Sequence, residues 1–324
     1  MAPPTWGYVV GAARRGAASA FGPDEDPFTL AAAAVERADD RRPTPAAATL
    51  FLVGDQPPVA EWGFGAVLGG PVELLRFPAG EAGLRAAIEA LAAADPGRPR
   101  LLAWATDRGG VAAGAVRLAV GERLSAAEAE AVVGPDGPAP VEWARRAGVV
   151  DPPERGAAPE SPETFRVYRE LDPAAVSEGA YVPRARYLEN LPSRWRLVAE
   201  ACGRCATVTF PARGRCRGCG ADEPLSPHLL PLDGGTVVAA TTIGRGGQPT
   251  EFDAQVAALG GYGVVLAELA PGVRLTLQVT DARPGEIGVG ARVGTRLRRL
   301  YPMEGEWRYG RKAVPLAPSS ADRA

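Results

Sequence analysis

Histidine is nearly missing from this 324-residue chain: His228 stands alone, which excludes catalysis by a pair of histidines acting as acid and base. Lysine is as scarce. Lys312 is the single one among 36 basic residues, and the arginine bias, together with the alanine excess, reads as a GC-rich coding preference rather than as phosphate recognition. Net charge is lacking too: 36 basic against 38 acidic residues leave −2, which gives no whole-chain pull toward nucleic acid. No apolar run is long enough to span a bilayer and no secretory signal segment is recognisable, so a cytoplasmic protein without membrane contact is expected. Cysteine is confined to four residues in one stretch, and structural disulfides are not expected in that compartment.

What is present starts with those cysteines. Cys202-Gly-Arg-Cys205 and Cys216-Arg-Gly-Cys219 are two C-x-x-C turns separated by ten residues, the spacing with which two knuckles surround a tetrahedral zinc. Four protein thiolates leave no open position for water or substrate, so this zinc is expected to hold a shape and not to act as a catalytic metal. The intervening loop, residues 206–215, reads as a short hairpin carrying Phe210 and Pro211. A hydrophobic fraction of 46% excludes wholesale disorder, while 40 glycines and 32 prolines predict many turns and at least one irregular linker.

Before the ribbon, the amino-terminal region alternates strands and helices. Strands are predicted at 8–11, 48–53, 72–77, 101–105 and 112–120, with helices at 28–38 and 81–94. The first helix is introduced by Asp24, Glu25 and Asp26; in the second, Leu84, Ala87, Ile88, Leu91 and Ala92 fall on one face. Such alternation implies an α/β layer with parallel strands. The order, with Phe51-Leu-Val-Gly54 and Phe77-Pro-Ala-Gly-Glu-Ala-Gly83, resembles the amino-terminal half of the thiolase superfamily, nearest to hydroxymethylglutaryl-CoA synthases. Where that superfamily places its nucleophilic cysteine, at a helix start that lowers the thiol pKa, this chain has Ala79 or Gly80. The resemblance therefore implies a degenerate half without a nucleophile, an unrelated small α/β domain being the alternative. A helix over 125–133, a short one over 142–147 and a proline-rich linker follow.

Beyond the linker, residues 184–198 combine Arg184, Arg186, Tyr187, Leu188, Leu191, Arg194, Trp195 and Arg196 around a break at Pro192. After the ribbon, strands predicted at 235–243, 262–269, 273–280, 292–300 and 307–314 suit a closed five-stranded OB-fold barrel. Residues 183–316 resemble an acyl-CoA-associated family in which a helical arm and a rubredoxin-like zinc ribbon precede an OB-fold. The matching pieces are Tyr187-Leu-Glu-Asn-Leu-Pro-Ser-Arg-Trp-Arg196, both knuckles, Thr209-Phe-Pro-Ala-Arg213, Tyr262-Gly-Val-Val-Leu-Ala-Glu268, Ile287-Gly-Val-Gly290 and Arg308-Tyr-Gly-Arg-Lys312.

That resemblance implies a zinc-ribbon and OB-fold scaffold subunit without catalytic activity of its own. The archaeal type bridges an acetoacetyl-CoA thiolase and a hydroxymethylglutaryl-CoA synthase, and it implies an acyl-CoA thioester as ligand. Arg184, Tyr187, Arg194, Trp195, Arg196, Phe210 and Arg213 are the candidates for contact with CoA or partner, since guanidinium forks bind phosphate oxygens and aromatics anchor interfaces. The expected organisation is a thiolase-like α/β domain over 1–135, linker 136–182, arm 183–198, ribbon 199–226, OB-fold 227–317 and a disordered tail 318–324. Two alternatives stand beside it: a single-strand nucleic-acid module, for which the barrel is poor in aromatics, and a stand-alone acyl-CoA enzyme using Asp233, Glu251, Asp253 or Glu268 as its acid.

Overall fold

Helix α1 (Pro27–Asp40) shows how local sequence sets an element in this chain. Asp26 caps it: the Thr29 N–H donates to the Asp26 carboxylate at 2.9 Å, and the Asp26 N–H donates back to the Thr29 hydroxyl at 2.9 Å, with Pro27 at a first-turn position that needs no donor. A computed structural model describes residues 5–10, 24–40, 48–54, 67, 72–78, 80–106, 112–126, 184–303 and 306–316. The linker, the helices expected at 125–133 and 142–147, Ala79 and the carboxy-terminal tail lie wholly or largely outside them. The chain divides into two units, residues 1–149 with 195–198, and residues 150–194 with 199–324.

The first unit holds a five-stranded sheet formed by β1 (Thr5–Val10), β2 (Ala48–Val53), β3 (Val72–Phe77), β4 (Arg100–Thr106) and β5 (Ala112–Leu118), in the order β1-β5-β4-β2-β3. β2 runs parallel to both β3 and β4, but β5 is antiparallel to β4 and to β1. The sheet is therefore mixed, which corrects the parallel expectation: the connection from β4 to β5 is too short for a crossover, so the chain must turn straight back. Helix α2 (Glu81–Ala93) lays Leu84, Ala87, Ile88 and Leu91 onto Phe51, Val53, Leu102, Val116 and Leu118, each of these side chains larger than alanine contributing about 1.5–3 kcal/mol on full burial. Ala92, assigned to that face from sequence, is exposed. Arg100 closes the far end of α2: its guanidinium, almost fully buried, donates to the carbonyls of Leu91, Ala94 and Glu122, answering acceptors that a helix end leaves open.

In the second unit, β9 (Gly235–Gly244), β10 (Gly261–Ala270), β11 (Val273–Gln278), β12 (Arg292–Met303) and β13 (Glu306–Pro315) form an antiparallel sheet in the order β11-β10-β9-β12-β13. A parallel bridge from Val279 to Ala313, with the Thr280 N–H donating to Ala313 O at 2.9 Å, brings its ends together into a nearly closed barrel. Alternation fills the inside: along β11, Val273, Leu275 and Leu277 are buried while Arg274 and Thr276 are exposed. A 3-10 turn (Thr250–Phe252) leads into helix α4 (Asp253–Leu259) between β9 and β10, an insertion that the sequence reading missed. Gly260, in the left-handed region at φ 76°, ends that helix by returning its N–H to Val256 O.

Candidate metal centre and arm

The ribbon is a three-stranded sheet of β6 (Val198–Cys202), β7 (Val208–Thr209) and β8 (Leu225–Leu229) in the order β7-β6-β8. The hairpin expected inside residues 206–215 is corrected here. Val208 and Thr209 pair with Ala201 and Glu200, the strand that enters the first knuckle. The remainder of that loop is held by a side chain, the Glu200 carboxylate accepting the N–H groups of Arg213 at 2.9 Å and Gly214 at 3.0 Å.

The two knuckles have the same construction. The N–H two residues after each first cysteine points at its sulfur, Arg204 to Cys202 at 3.4 Å and Gly218 to Cys216 at 3.3 Å. Four residues on, the N–H returns to the carbonyl, Ala206 to Cys202 at 2.9 Å and Gly220 to Cys216 at 3.0 Å. Both closing residues occupy the left-handed region, at φ 58° and 72°. A glycine does this without strain, and an alanine at a cost of about 1 kcal/mol. Gly218 is needed for another reason, since a Cβ there would stand 2.5 Å from the Thr207 hydroxyl.

All four sulfurs lie within 4.8 Å of one another, with Cys202 to Cys219 at 3.7 Å and Cys205 to Cys216 at 3.5 Å. Sulfurs about 2.3 Å from a tetrahedral zinc stand about 3.8 Å apart, whereas a disulfide needs about 2.05 Å. The donor set thus fits zinc: soft thiolates, tetrahedral spacing and inward N–H groups that favour negative sulfur. The backbone N–H groups of Arg204 and Gly218, aimed at the sulfurs of Cys202 and Cys216, favour the thiolates a metal requires. Among the described residues, this is the one cluster of histidine, cysteine or carboxylate groups close enough to hold an ion.

The arm consists of helix α3 (Arg184–Glu189) and a wide turn over Pro192–Arg196, the break falling at Pro192 as expected. Tyr187 is buried, with its phenol donating to Tyr309 O at 2.9 Å and accepting the Tyr309 N–H at 2.7 Å. Two guanidiniums lie over its ring, Arg308 at 4.9 Å and Arg194 at 5.6 Å from the centroid. Trp195 is 0% exposed and meets the Phe28 ring at 5.2 Å. Arg194, Arg196 and Phe210 are half-buried, Arg213 is exposed, and Arg184 opens α3 with its side chain outside the described set. The seven candidates therefore form no single exposed patch: two are core residues of the chain itself.

Four sulfurs on two matched knuckles, attached to a small antiparallel barrel, define a zinc-ribbon and OB-fold protein. A family model described as "ChsH2, rubredoxin-like zinc ribbon domain" matches residues 192–224, which include all four cysteines. A DUF35 domain-containing scaffold protein of Methanocaldococcus jannaschii is 28% identical over 134 residues, 40% of this chain and 89% of that relative. Another protein described in the same words, from Methanothermobacter thermautotrophicus, is 30% identical over 122 residues, 37% of this chain and 85% of the relative. The chain belongs to the family of DUF35 domain-containing proteins. A solved structure described as "Ltp2-ChsH2(DUF35) aldolase" overlaps 44% of this chain and 97% of its own at 22% identity, with a TM-score of 0.32. No described helix is long and apolar enough to cross a membrane.

Proposed function

We propose that this protein is a scaffold subunit of an acyl-CoA-converting complex, whose partner is a thiolase-like acyltransferase, a hydroxymethylglutaryl-CoA synthase, or both. The observation that carries this reading is the extent of the match to the two relatives named as scaffold proteins, of which this chain spans 85–89%. In such a role the zinc fixes the loop geometry, and four thiolates give it no position for substrate. Arg184, Arg194, Arg196 and Arg213 supply forks for the phosphates of a CoA thioester, and Phe210 adds an apolar contact beside them. The amino-terminal unit, a thiolase-like half with Gly80 or Ala79 at the nucleophile's place, serves as a docking body beside an active enzyme.

The test is co-purification of the full chain from its native host, followed by titration of the recovered complex with acetoacetyl-CoA. Turnover is expected in the assembly and not in the isolated chain. Turnover of acetoacetyl-CoA by the purified chain alone, or recovery without any acyl-CoA enzyme, overturns the proposal.

A further inference from the structure

The four carboxylates that the sequence offers as acids part company in the fold. Asp233 pairs with Arg296 at 2.6 Å, Glu268 pairs with Arg274 at 2.7 Å, and Asp253 accepts from the Gln248 amide at 2.8 Å. Glu251 Oε2, like the second oxygen of Asp253, is shielded from solvent and meets no hydrogen-bond donor. Arg194 is its cationic counterpart, with a shielded Nε that meets no acceptor and a guanidinium resting on the Tyr187 ring.

A continuous run of rings and guanidiniums joins the two. Tyr187 carries Arg308 against its ring, Arg308 stands opposite Tyr301 across the β12–β13 ladder, and Tyr301 meets Phe252 edge-on at 5.5 Å. Phe252 follows Glu251 in the 3-10 turn and also meets Tyr262 at 5.4 Å. Arg194 and Glu251 both act on the Tyr301 phenol; burial holds that phenol above its usual range, with Arg194 opposing the shift and Glu251 reinforcing it. An arginine and a glutamate around one phenol would cancel each other's cost by pairing, as Asp233 and Arg296 do. They do not pair here, and shielded polar atoms without partners are rare enough in folded proteins to require a reason.

Chemistry supplies the reason. A guanidinium takes phosphate oxygens, a carboxylate takes hydroxyl or amine donors, and a half-exposed phenylalanine takes a flat ring. A phosphorylated nucleoside carries all three groups, whereas phosphate alone carries one. We infer that Arg194, Glu251 and Phe252 form a binding site for a phosphorylated nucleoside, with phosphate on Arg194, a ribose hydroxyl or base amine on Glu251, and the base against Phe252. This deepens the acyl-CoA reading above and rests on it for the biological source of such a group.

The experiment is calorimetry on the full zinc-loaded chain with adenosine 3′,5′-bisphosphate, adenosine, inorganic phosphate and a single-stranded oligonucleotide as probes. Wild type should bind the bisphosphate. Glu251→Gln should weaken both the bisphosphate and adenosine about tenfold, whereas Arg194→Gln should weaken the bisphosphate and phosphate and leave adenosine unchanged. Asp233→Asn, outside the site, should bind as wild type. No binding of the bisphosphate to wild type overturns the inference, as does full affinity in Glu251→Gln protein with unchanged zinc content and melting temperature. Preference for the oligonucleotide over the bisphosphate overturns it in favour of strand binding. An acyl-CoA enzyme that still co-purifies when the bisphosphate fails sinks this site alone; bisphosphate binding with no such enzyme sinks the scaffold proposal and leaves the site.

Discussion

At the scale of single residues, the most consequential atoms are the four cysteine sulfurs. With three thiolates the fourth corner of the tetrahedron falls to water and the metal is held less tightly, and the ribbon has short strands and little core of its own, so metal binding and folding are the same event there. Cys205→Ala should therefore lower zinc from one equivalent per chain to near none by metal analysis, with loss of protease resistance across residues 198–229. Glu268 gives a pH test with a defined sign. Its hydrogen bond from Arg274, helped by the Gly272 N–H, holds the carboxyl below its usual value of 4.5. A depressed carboxylate contributes stability above that value and loses it as pH falls through the folded pKa. Glu268→Gln should thus melt slightly below wild type at neutral pH, and the gap should close as the pH falls below 4.5 and through the depressed folded pKa. A gap that persists in acid would mean the side chain acts by packing and not by charge.

At the scale of elements, Tyr187 fastens α3 to β13. Tyr187→Phe keeps the ring against Arg194 and Arg308 but leaves a buried N–H and a buried carbonyl of Tyr309 without that partner, a loss of about 1–3 kcal/mol. Urea unfolding should show that loss in the midpoint at unchanged slope. Elements of this kind divide by how local their cause is. The barrel strands were legible because one residue in two is apolar, as in Val273, Leu275 and Leu277, and glycine turns separate them. The knuckles were legible because the ligand spacing is itself the signal. The pairing of Val208 with Ala201, the position of β1 beside β5 and the burial of Arg100 under α2 were not, since each depends on a neighbour distant in sequence. The turn and helix over 250–259 escaped notice because a seven-residue helix spans too few turns to show a period. The sequence offers Arg194 as a contact for phosphate or partner and Glu251 as a candidate acid, but that each carries a shielded atom without a hydrogen-bond partner is visible only in the fold.

For the whole molecule, Trp195 separates folding from assembly. The sequence offers it as an interface anchor, while the fold buries it completely against Phe28, among the residues that group with 1–149. Trp195→Ala should then cost about 3–5 kcal/mol through the cavity it leaves, lowering the melting temperature of the isolated chain before any partner is added. Arg213→Ala, at an exposed position, should leave that melting temperature unchanged, so a drop in partner recovery with this variant would report docking alone.

The clasp of Tyr187 on Tyr309 also bears on what the barrel does not do. β13 ends its sheet, and a terminal strand offers its outward amides to any extended peptide that drifts past. Here a phenol answers the outward N–H and carbonyl of Tyr309, and Val279 and Thr280 occupy the stretch near Ala313. One hydroxyl on the arm thus takes the place that a neighbouring strand's backbone would fill, and closes these two groups of the rim to an incoming chain.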